Sequence, residues 1–479
     1  MDSTRAWAMA EFGQGDLGHR ARVTRGVSML ATMAARPSGT VHATFRGPAA
    51  LKGAYRWLER PTVPWDDVAT TVHDACARRC AEHALTFMVI DGSSIAHTDH
   101  AGTHGVGRVG SDHIGAQGLK SMIALAMTYD GVPLGVAAHA LWARGETPTK
   151  SHAVRALVDK ESHWWTTLQA QVETSLAKAN AATQCWYLMD READASHVLL
   201  RGLEPDVLFT VRAHQNRLLT AQRARRAHLT LHAALETAPP CAHVWLVVPR
   251  AHDRPERVAC VELRVAHVGV KLRAQWSHRK LGDVPLTAVV AREIASVPQA
   301  AKPLSWLLLT SWPVHGADDA VRVVRAYALR FRIEAVHQTW KSSACDVETS
   351  ELRSFGALAK WATLQLAVAV HVQHTLHRSR TEPDVPADEI FTREELDAAQ
   401  TLAHAERIPR APALGTAMTL GYAVALIARL GGYSARHGEG PPGPATYTRG
   451  YELVAAVASA FAARRKLRRK PPPPETSGQ

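Results

Sequence analysis

Two periodicities alternate along the chain. Through about residue 80 the apolar positions recur at helical spacing, as in RARVTRGVSMLATMAA and, after the break at Arg36-Pro37-Ser38-Gly39, in AALKGAYRWLERP. From Leu85 the pattern changes to short continuous apolar runs. LTFMVIDG reads as a buried strand ending in Asp91, and residues 121–140 read as two strands joined at Asp130-Gly131, a favourable hairpin turn. After a helical stretch over 161–180, QCWYLMDREAD repeats the first theme, an apolar strand ending in Asp190, and DVLFTVRA completes a mixed sheet in outline. Between 215 and about 300 the segments HVWLVVPR, RVACVELRVAHVGVKL and LTAVVAREI predict a small β-sheet insertion separated by polar and basic loops. Helical spacing returns from Ala320 through about Thr375. Asp384 to Pro412 is a proline-bearing connection around an acidic helix start, and GTAMTLGYAVALIARLGGY is a helix stopped by Gly431-Gly432.

The pattern predicts an α/β fold in five stretches: a helical region over 1–80, a core over 81–214 and 301–380, a β-rich insertion over 215–300, a helical region over 381–463 and a tail over 464–479. Length and a 46% hydrophobic, 21% charged composition fit a folded chain with a sizeable core, not a disordered one. A net charge of +12 raises the local concentration of a polyanion. Nucleic acid is the favoured partner over anionic lipid, because no amphipathic anchor stands beside the basic residues. Lys52, Arg56 and Arg60, spaced by four beside Tyr55 and Trp57, form a candidate phosphate-contacting face; a solvated basic face would look the same. The tail RRKLRRKPPPPETSGQ adds six basic residues within 464–470 before a proline run.

Other chemistries find little support. The N-terminus lacks the apolar stretch of a signal peptide, and no run of eighteen apolar residues occurs; the greasiest candidate, WATLQLAVAVHV, is short and carries a histidine, so no membrane span is expected. Cys76 and Cys80 lack a second pair, which favours idle thiols in a reducing compartment over a zinc knuckle. The 26 histidines include no HExxH.

Three carboxylates carry the candidate chemistry. Asp91 and Asp190 each end a predicted core strand, where an unpaired carboxylate is poor packing material. Either alone could begin an ordinary turn; together they can face one cleft and share a divalent cation. Glu334 lies in RAYALRFRIEAVHQTWKSS, where Tyr327, Arg330, Glu334 and Lys341 are spaced by 3, 4 and 7. On one regular helix their directions fall within about 60°, so one face would present a phenol, a guanidinium, a carboxylate and an ammonium. An Arg330–Glu334 surface pair would explain two of these residues but not all four. Three acids holding two hard cations, beside an Arg fork and a Lys point charge for phosphate, suit phosphodiester cleavage.

These residues closely resemble the signature of the insertion-sequence-four family of cut-and-paste (Asp-Asp-Glu) transposases. The family pattern of Tyr, two residues, Arg, three residues, Glu, six residues, Lys is complete in YALRFRIEAVHQTWK, and both acid contexts, VIDGSS and MDREAD, match. KGAYRWLERPTV, FTVRAHQNR, PLSWLLLTS and IARLGGY resemble further family segments in the expected order, over about residues 7 to 460. The resemblance implies a ribonuclease-H-like catalytic core, an N-terminal region binding transposon ends, and a C-terminal region that contributes to dimerisation. It implies Mg²⁺, as two ions with Mn²⁺ a possible substitute, held by Asp91, Asp190 and Glu334. Tyr327, Arg330 and Lys341 would contact DNA phosphates near the cleavage point, in addition to Arg56 of the basic face, with Arg191 and Glu192 orienting the acids. Trp306 is open to two readings, a core tryptophan or a stacking surface for an extruded base.

The implied activity is nicking of double-stranded DNA at terminal repeats, hairpin formation by the freed 3′ hydroxyl, and joining to target DNA by a homodimer in a bacterial cytoplasm, bound to its nucleoid. The chain departs from the family after GPPG, where Thr448 and Tyr451 replace tryptophans around Arg449-Gly450 and His437 replaces a basic residue. These departures bear on the dimer contacts and leave the acids untouched. A nuclease of the same fold that cuts without joining, and a DNA-binding protein from a decayed element, are the competing readings.

Overall fold

The computed structural model describes residues 2–97, 105–110, 116–145, 156–220, 229–248, 256–273, 280–294, 303–436 and 439–468. His437 and the proline-rich end of the tail lie outside the described residues. The chain forms a mixed α/β structure in two compact units, one of Met1–Ala75, Ile95–Gly118 and Ala335–Gln479, the other of Cys76–Ser94 and Leu119–Glu334.

The first unit is mostly helical and also holds the short strand Gly107–Arg108 and the ends of two longer ones. Its N-terminal helices run Ser3–Phe12, Arg20–Ala35, Val41–Thr44, Pro48–Leu58 and from Trp65 onward. Pro48, with its fixed φ and no N–H to lose, opens the fourth of these behind Gly47, whose φ of +89° suits a residue without a Cβ. That helix ends at Leu58, so Lys52 and Arg56 lie on it and Arg60 lies beyond it, which narrows the basic face expected from the spacing.

Phe355–Thr381 is the spine of this unit. Ser354 caps it by accepting a hydrogen bond from the Ala357 N–H, and its central residues are apolar on every side, the mark of a helix enclosed by others. The expectation of a short apolar helix is corrected: at 27 residues it is long and apolar enough to cross a membrane by length and composition. The most apolar window is nevertheless 83% buried inside the protein, as in a core helix. Its polar groups are matched within the unit. Trp361 Nε1 donates to the Gly39 carbonyl at 2.8 Å, and Lys360 Nζ to the carbonyls of Arg60 at 3.1 Å and Val63 at 3.0 Å. Trp65 Nε1 donates to Thr363 Oγ1 at 2.8 Å. Helices Arg393–Ala405, Leu420–Leu430 and Pro444–Arg468 follow, the first closed by a capping box between Thr392 and Glu395.

The second unit is built on a mixed sheet. Its strands in chain order are β1 (Leu85–His97), β2 (Gly107–Arg108), β3 (Gln117–Met127), β4 (Pro133–Trp142), β5 (Gln184–Met189), β6 (Leu208–Arg212), β7 (Pro240–Val248), β8 (Arg257–Arg273), β9 (Lys280–Glu293) and β10 (Ser305–Thr310). The sheet order is β2-β3-β1-β5-β6-β10-β9-β8-β7, with β4 also on β3. β1, β5 and β6 are parallel, whereas β10 is antiparallel to β6 and β9. The continuous apolar runs of β1 and β5 are buried on both faces, as central parallel strands require. On one face Met88, Ile90, Tyr187, Met189 and Phe209 share a core with Trp165, Leu168 and Val172 of helix Trp164–Lys178.

Three sequence expectations change here. β1 does not end at Asp91 but runs on to His97, burying Ile95 and His97. Continuation is a matter of pairing with long β3, which an apolar count cannot register; Gly118 admits the Ile95 carbonyl so closely that a Cβ would lie 1.9 Å from it. The β-rich insertion is not a separate small sheet. Thr287–Arg292 of β9 pairs with β10, so β7, β8 and β9 extend the central sheet. Finally, the signature segment is not one regular helix. Helix Ala317–Ala328 passes through a 3₁₀ turn at Leu329–Phe331 into helix Arg332–Gln338 and a π turn at Thr339–Ser343.

Trp361→Ala is expected to destabilise the first unit by about 3–5 kcal/mol, since it removes a fully buried indole and leaves the Gly39 carbonyl unmatched. A urea titration followed by circular dichroism would register it as a lowered midpoint; an unchanged midpoint would show that the spine is not where stability resides.

Candidate active site

Register places the first two acids. Residues Leu85 to Ile90 of β1 pair with Gln184 to Met189 of β5, so Asp91 and Asp190 are the next residues on adjacent parallel strands. Asp190 then leaves the sheet as the cap of a 3₁₀ turn, Arg191–Ala193, its Oδ1 accepting the Glu192 N–H at 2.8 Å. Arg191 and Glu192 are themselves exposed.

Arg330 reaches toward the acids from the 3₁₀ turn. Its Nη1 lies 3.6 Å from Asp91 Oδ2 and its Nη2 lies 3.7 Å from Glu334 Oε1. The guanidinium is 11% exposed, the Asp91 side chain 17% and Glu334 60%, so the site grades from interior to solvent. Arg330 also lies over the Phe331 ring, 4.9 Å from its centre, and its Nε is buried with no hydrogen-bond partner. Tyr327 is buried beside it. Burial pushes that phenol up to about 12, against the lowering pull of Arg330 and Arg212.

Charge crowding is felt most at Asp91. Its carboxyl is pushed up to about 7, first by burial and then by the negative charges of Asp190 and Glu334; Arg330 and the Gly92 N–H pull it down without cancelling the rise. Among the described residues no three His, Cys, Asp or Glu side chains stand close enough to form a ready metal-binding group. The three acids act on one another through their field, with Arg330 within 4 Å of two of them.

Trp306, on β10, is 6% exposed. It meets Tyr327 edge-on at 5.2 Å and stacks on Phe331 at 5.8 Å, a packing position that leaves little ring face for a base in this conformation. The change of helical pitch at Leu329 and Thr339 breaks the constant 100° step that had placed Lys341 in line with Tyr327, Arg330 and Glu334. Lys341 belongs to the first unit, where its Nζ lies 3.4 Å from Glu348 Oε1, which also accepts the Ala96 N–H at 3.0 Å. Arg56, also in the first unit, is exposed on the Pro48–Leu58 helix, while neighbouring Trp57 is buried and donates to the Arg22 carbonyl at 2.9 Å.

Sequence reasoning passed over Asp194, the last acid of MDREAD, and Arg217. Asp194 has a wholly buried side chain 2.7 Å from Arg217 Nη2. The signal was available: an aspartate inside a turn between two strands, with an arginine soon after the second strand.

Residues 4–63 match the family model described as transposase DNA-binding. The match covers the N-terminal helices and supports a transposase with DNA as its partner.

In chelator, the stability of the protein is expected to fall as pH rises from about 4 to about 7. Over that window the unfolded chain has lost the Asp91 proton that the folded chain still holds, and a raised carboxyl pKa therefore penalises the fold at the upper end. A rise of this size corresponds to on the order of 4 kcal/mol. Asp91→Asn should flatten the loss between pH about 4 and about 7 in urea unfolding; an equally steep decline in the variant would assign it to other groups.

Proposed function

We propose that the chain is a transposase whose second unit cuts and joins DNA through Asp91, Asp190 and Glu334. The observation that carries this reading is the convergence of three carboxylate charges around one largely buried guanidinium, in a chain whose N-terminus matches a transposase DNA-binding domain. The strand order β4-β3-β1-β5-β6, with β1, β5 and β6 parallel, Asp91 within β1 and Asp190 just after β5, supports a ribonuclease-H-like core. The insertion-sequence-four assignment rests on the signature residues 327–341 and the two acid contexts.

The donor set fits hard divalent cations. All three candidate ligands are carboxylates, the ligand type preferred by Mg²⁺ and Mn²⁺, and a cation would offset the burial and, after it, the repulsion that together hold Asp91 near 7. Asp91, Asp190 and Glu334 would hold the ions, which when bound activate the attacking oxygen and stabilise charge on the phosphoryl group. Arg330 offers an unpaired buried Nε–H besides its fork, and would grip a phosphate next to the scissile bond. Tyr327 stays protonated at neutral pH and can donate a hydrogen bond to a phosphate oxygen. Lys341 would serve a phosphate as a mobile point charge. Lys52 and Arg56 would contact the terminal repeats. Nicking, a hairpin intermediate, strand transfer by a homodimer and a bacterial cytoplasmic setting complete the proposal as the family resemblance implies them.

The deciding experiment incubates the purified chain with linear element ends and a supercoiled target, in Mg²⁺ or in chelator. Joined products in Mg²⁺, lost in Asp91→Ala, Asp190→Ala and Glu334→Ala, are the expected result. Cleavage without joining would replace this reading by a nuclease, and end binding without either reaction by a DNA-binding protein alone. In the same preparation Arg56→Ala should weaken end binding and lower its salt dependence, as loss of one phosphate contact does, while leaving the metal requirement intact.

A further inference from the structure

Asp194 is the most completely hydrogen-bonded carboxylate near the acid site. Its Oδ2 accepts the backbone N–H groups of His214 at 2.7 Å and Gln215 at 2.9 Å. Its Oδ1 accepts Arg217 Nε at 2.8 Å and lies 2.7 Å from Arg217 Nη2, which also donates to the Asp194 carbonyl at 2.8 Å. The pair is buried, with 0% of the Asp194 side chain and 9% of that of Arg217 exposed. A carboxylate so fully engaged has no lone pair to offer a cation. A buried ion pair is also weak ground for a purely stabilising role, because desolvation offsets most of its attraction.

Location gives the pair its meaning. Asp194 closes the 3₁₀ turn Arg191–Ala193 that Asp190 opens. His214, Gln215 and Arg217 follow β6, whose Val211 is paired with Met189, the residue before Asp190. The staple therefore joins the turn carrying Asp190 to the exit of the neighbouring strand. Asp190 itself has only the Glu192 N–H to orient it among the hydrogen bonds of the described residues.

We propose that Asp194 is a positioning residue: through Arg217 and the His214–Gln215 backbone it fixes the turn that aims the Asp190 carboxylate at a divalent cation. This rests on the metal-dependent reading of the acid site and extends it to residues that touch neither metal nor DNA. Groups of this kind commonly alter metal affinity by roughly 10- to 100-fold when removed.

The test is calorimetric titration of the full chain with Mn²⁺, without DNA, paired with strand cleavage across a Mn²⁺ series. Asp194→Asn should bind Mn²⁺ at least tenfold more weakly, with cleavage recovering toward the wild-type rate at high Mn²⁺. Arg217→Lys, which keeps the charge and loses the fork, should fall between the two; it also carries the comparison if Asp194→Asn does not fold. Wild-type Mn²⁺ affinity in either folded variant overturns the inference, as does weakened binding whose cleavage defect excess Mn²⁺ leaves in place, the mark of a merely structural role. If the wild type shows no Mn²⁺ binding that Asp91→Ala removes, the metal reading itself fails and the inference with it.

Discussion

Parallel pairing of β1 with β5 is the constraint on which the acid site depends. Six successive residues of each strand are locked in register, the last four pairs of them buried, so the two aspartates that follow have no freedom to separate along the strands. Two carboxylates held side by side at the edge of a dry core repel each other and lose hydration together. The protein answers with one guanidinium, which reaches Asp91 and Glu334 at distances just beyond a hydrogen bond. The answer is incomplete, since Asp91 still sits near 7. Burial, more than the repulsion of Asp190 and Glu334, is what Arg330 and the Gly92 N–H leave unbalanced.

Sequence legibility followed the range of the physics involved. Apolar runs ending in Asp91 and Asp190 marked the right strands because burial on both faces is a local property of LTFMVI and QCWYLM. The hairpin at Asp130-Gly131 was equally plain, Gly131 having a φ of +78°. What the chain concealed was decided by partners distant in sequence. β1 runs past Asp91 through its pairing, and the strands of the insertion join the central sheet because β10 lies between β9 and β6. The column of four signature residues assumed a single helical pitch, and the 3₁₀ and π turns withdraw that assumption where the chain passes from Arg330 to Lys341. Asp194 was missed for a related reason: its partners, Arg217 and two backbone N–H groups, lie beyond the next strand, and the topology that joins them is what sets it apart from an ordinary turn aspartate.

Two kinds of support divide the work of holding the acids. On the β5 side, rigidity comes from polar matching, with Asp194 saturated and Asp190 left comparatively open. On the Glu334 side it comes from aromatic packing. Trp306 on β10 stacks on Phe331 and meets Tyr327, and Phe331 in turn lies beneath the Arg330 guanidinium. A chain of contacts thus runs from the central sheet, through two rings, to the cation that faces Asp91. Packing of this sort is stiff and carries no charge, so it fixes Arg330 without adding to the crowding among the acids. Trp306 is consequently placed to steady Arg330 even while almost wholly buried. Any base that came to stack on it would first have to displace Phe331 or Tyr327, and in doing so would loosen the guanidinium that faces Asp91.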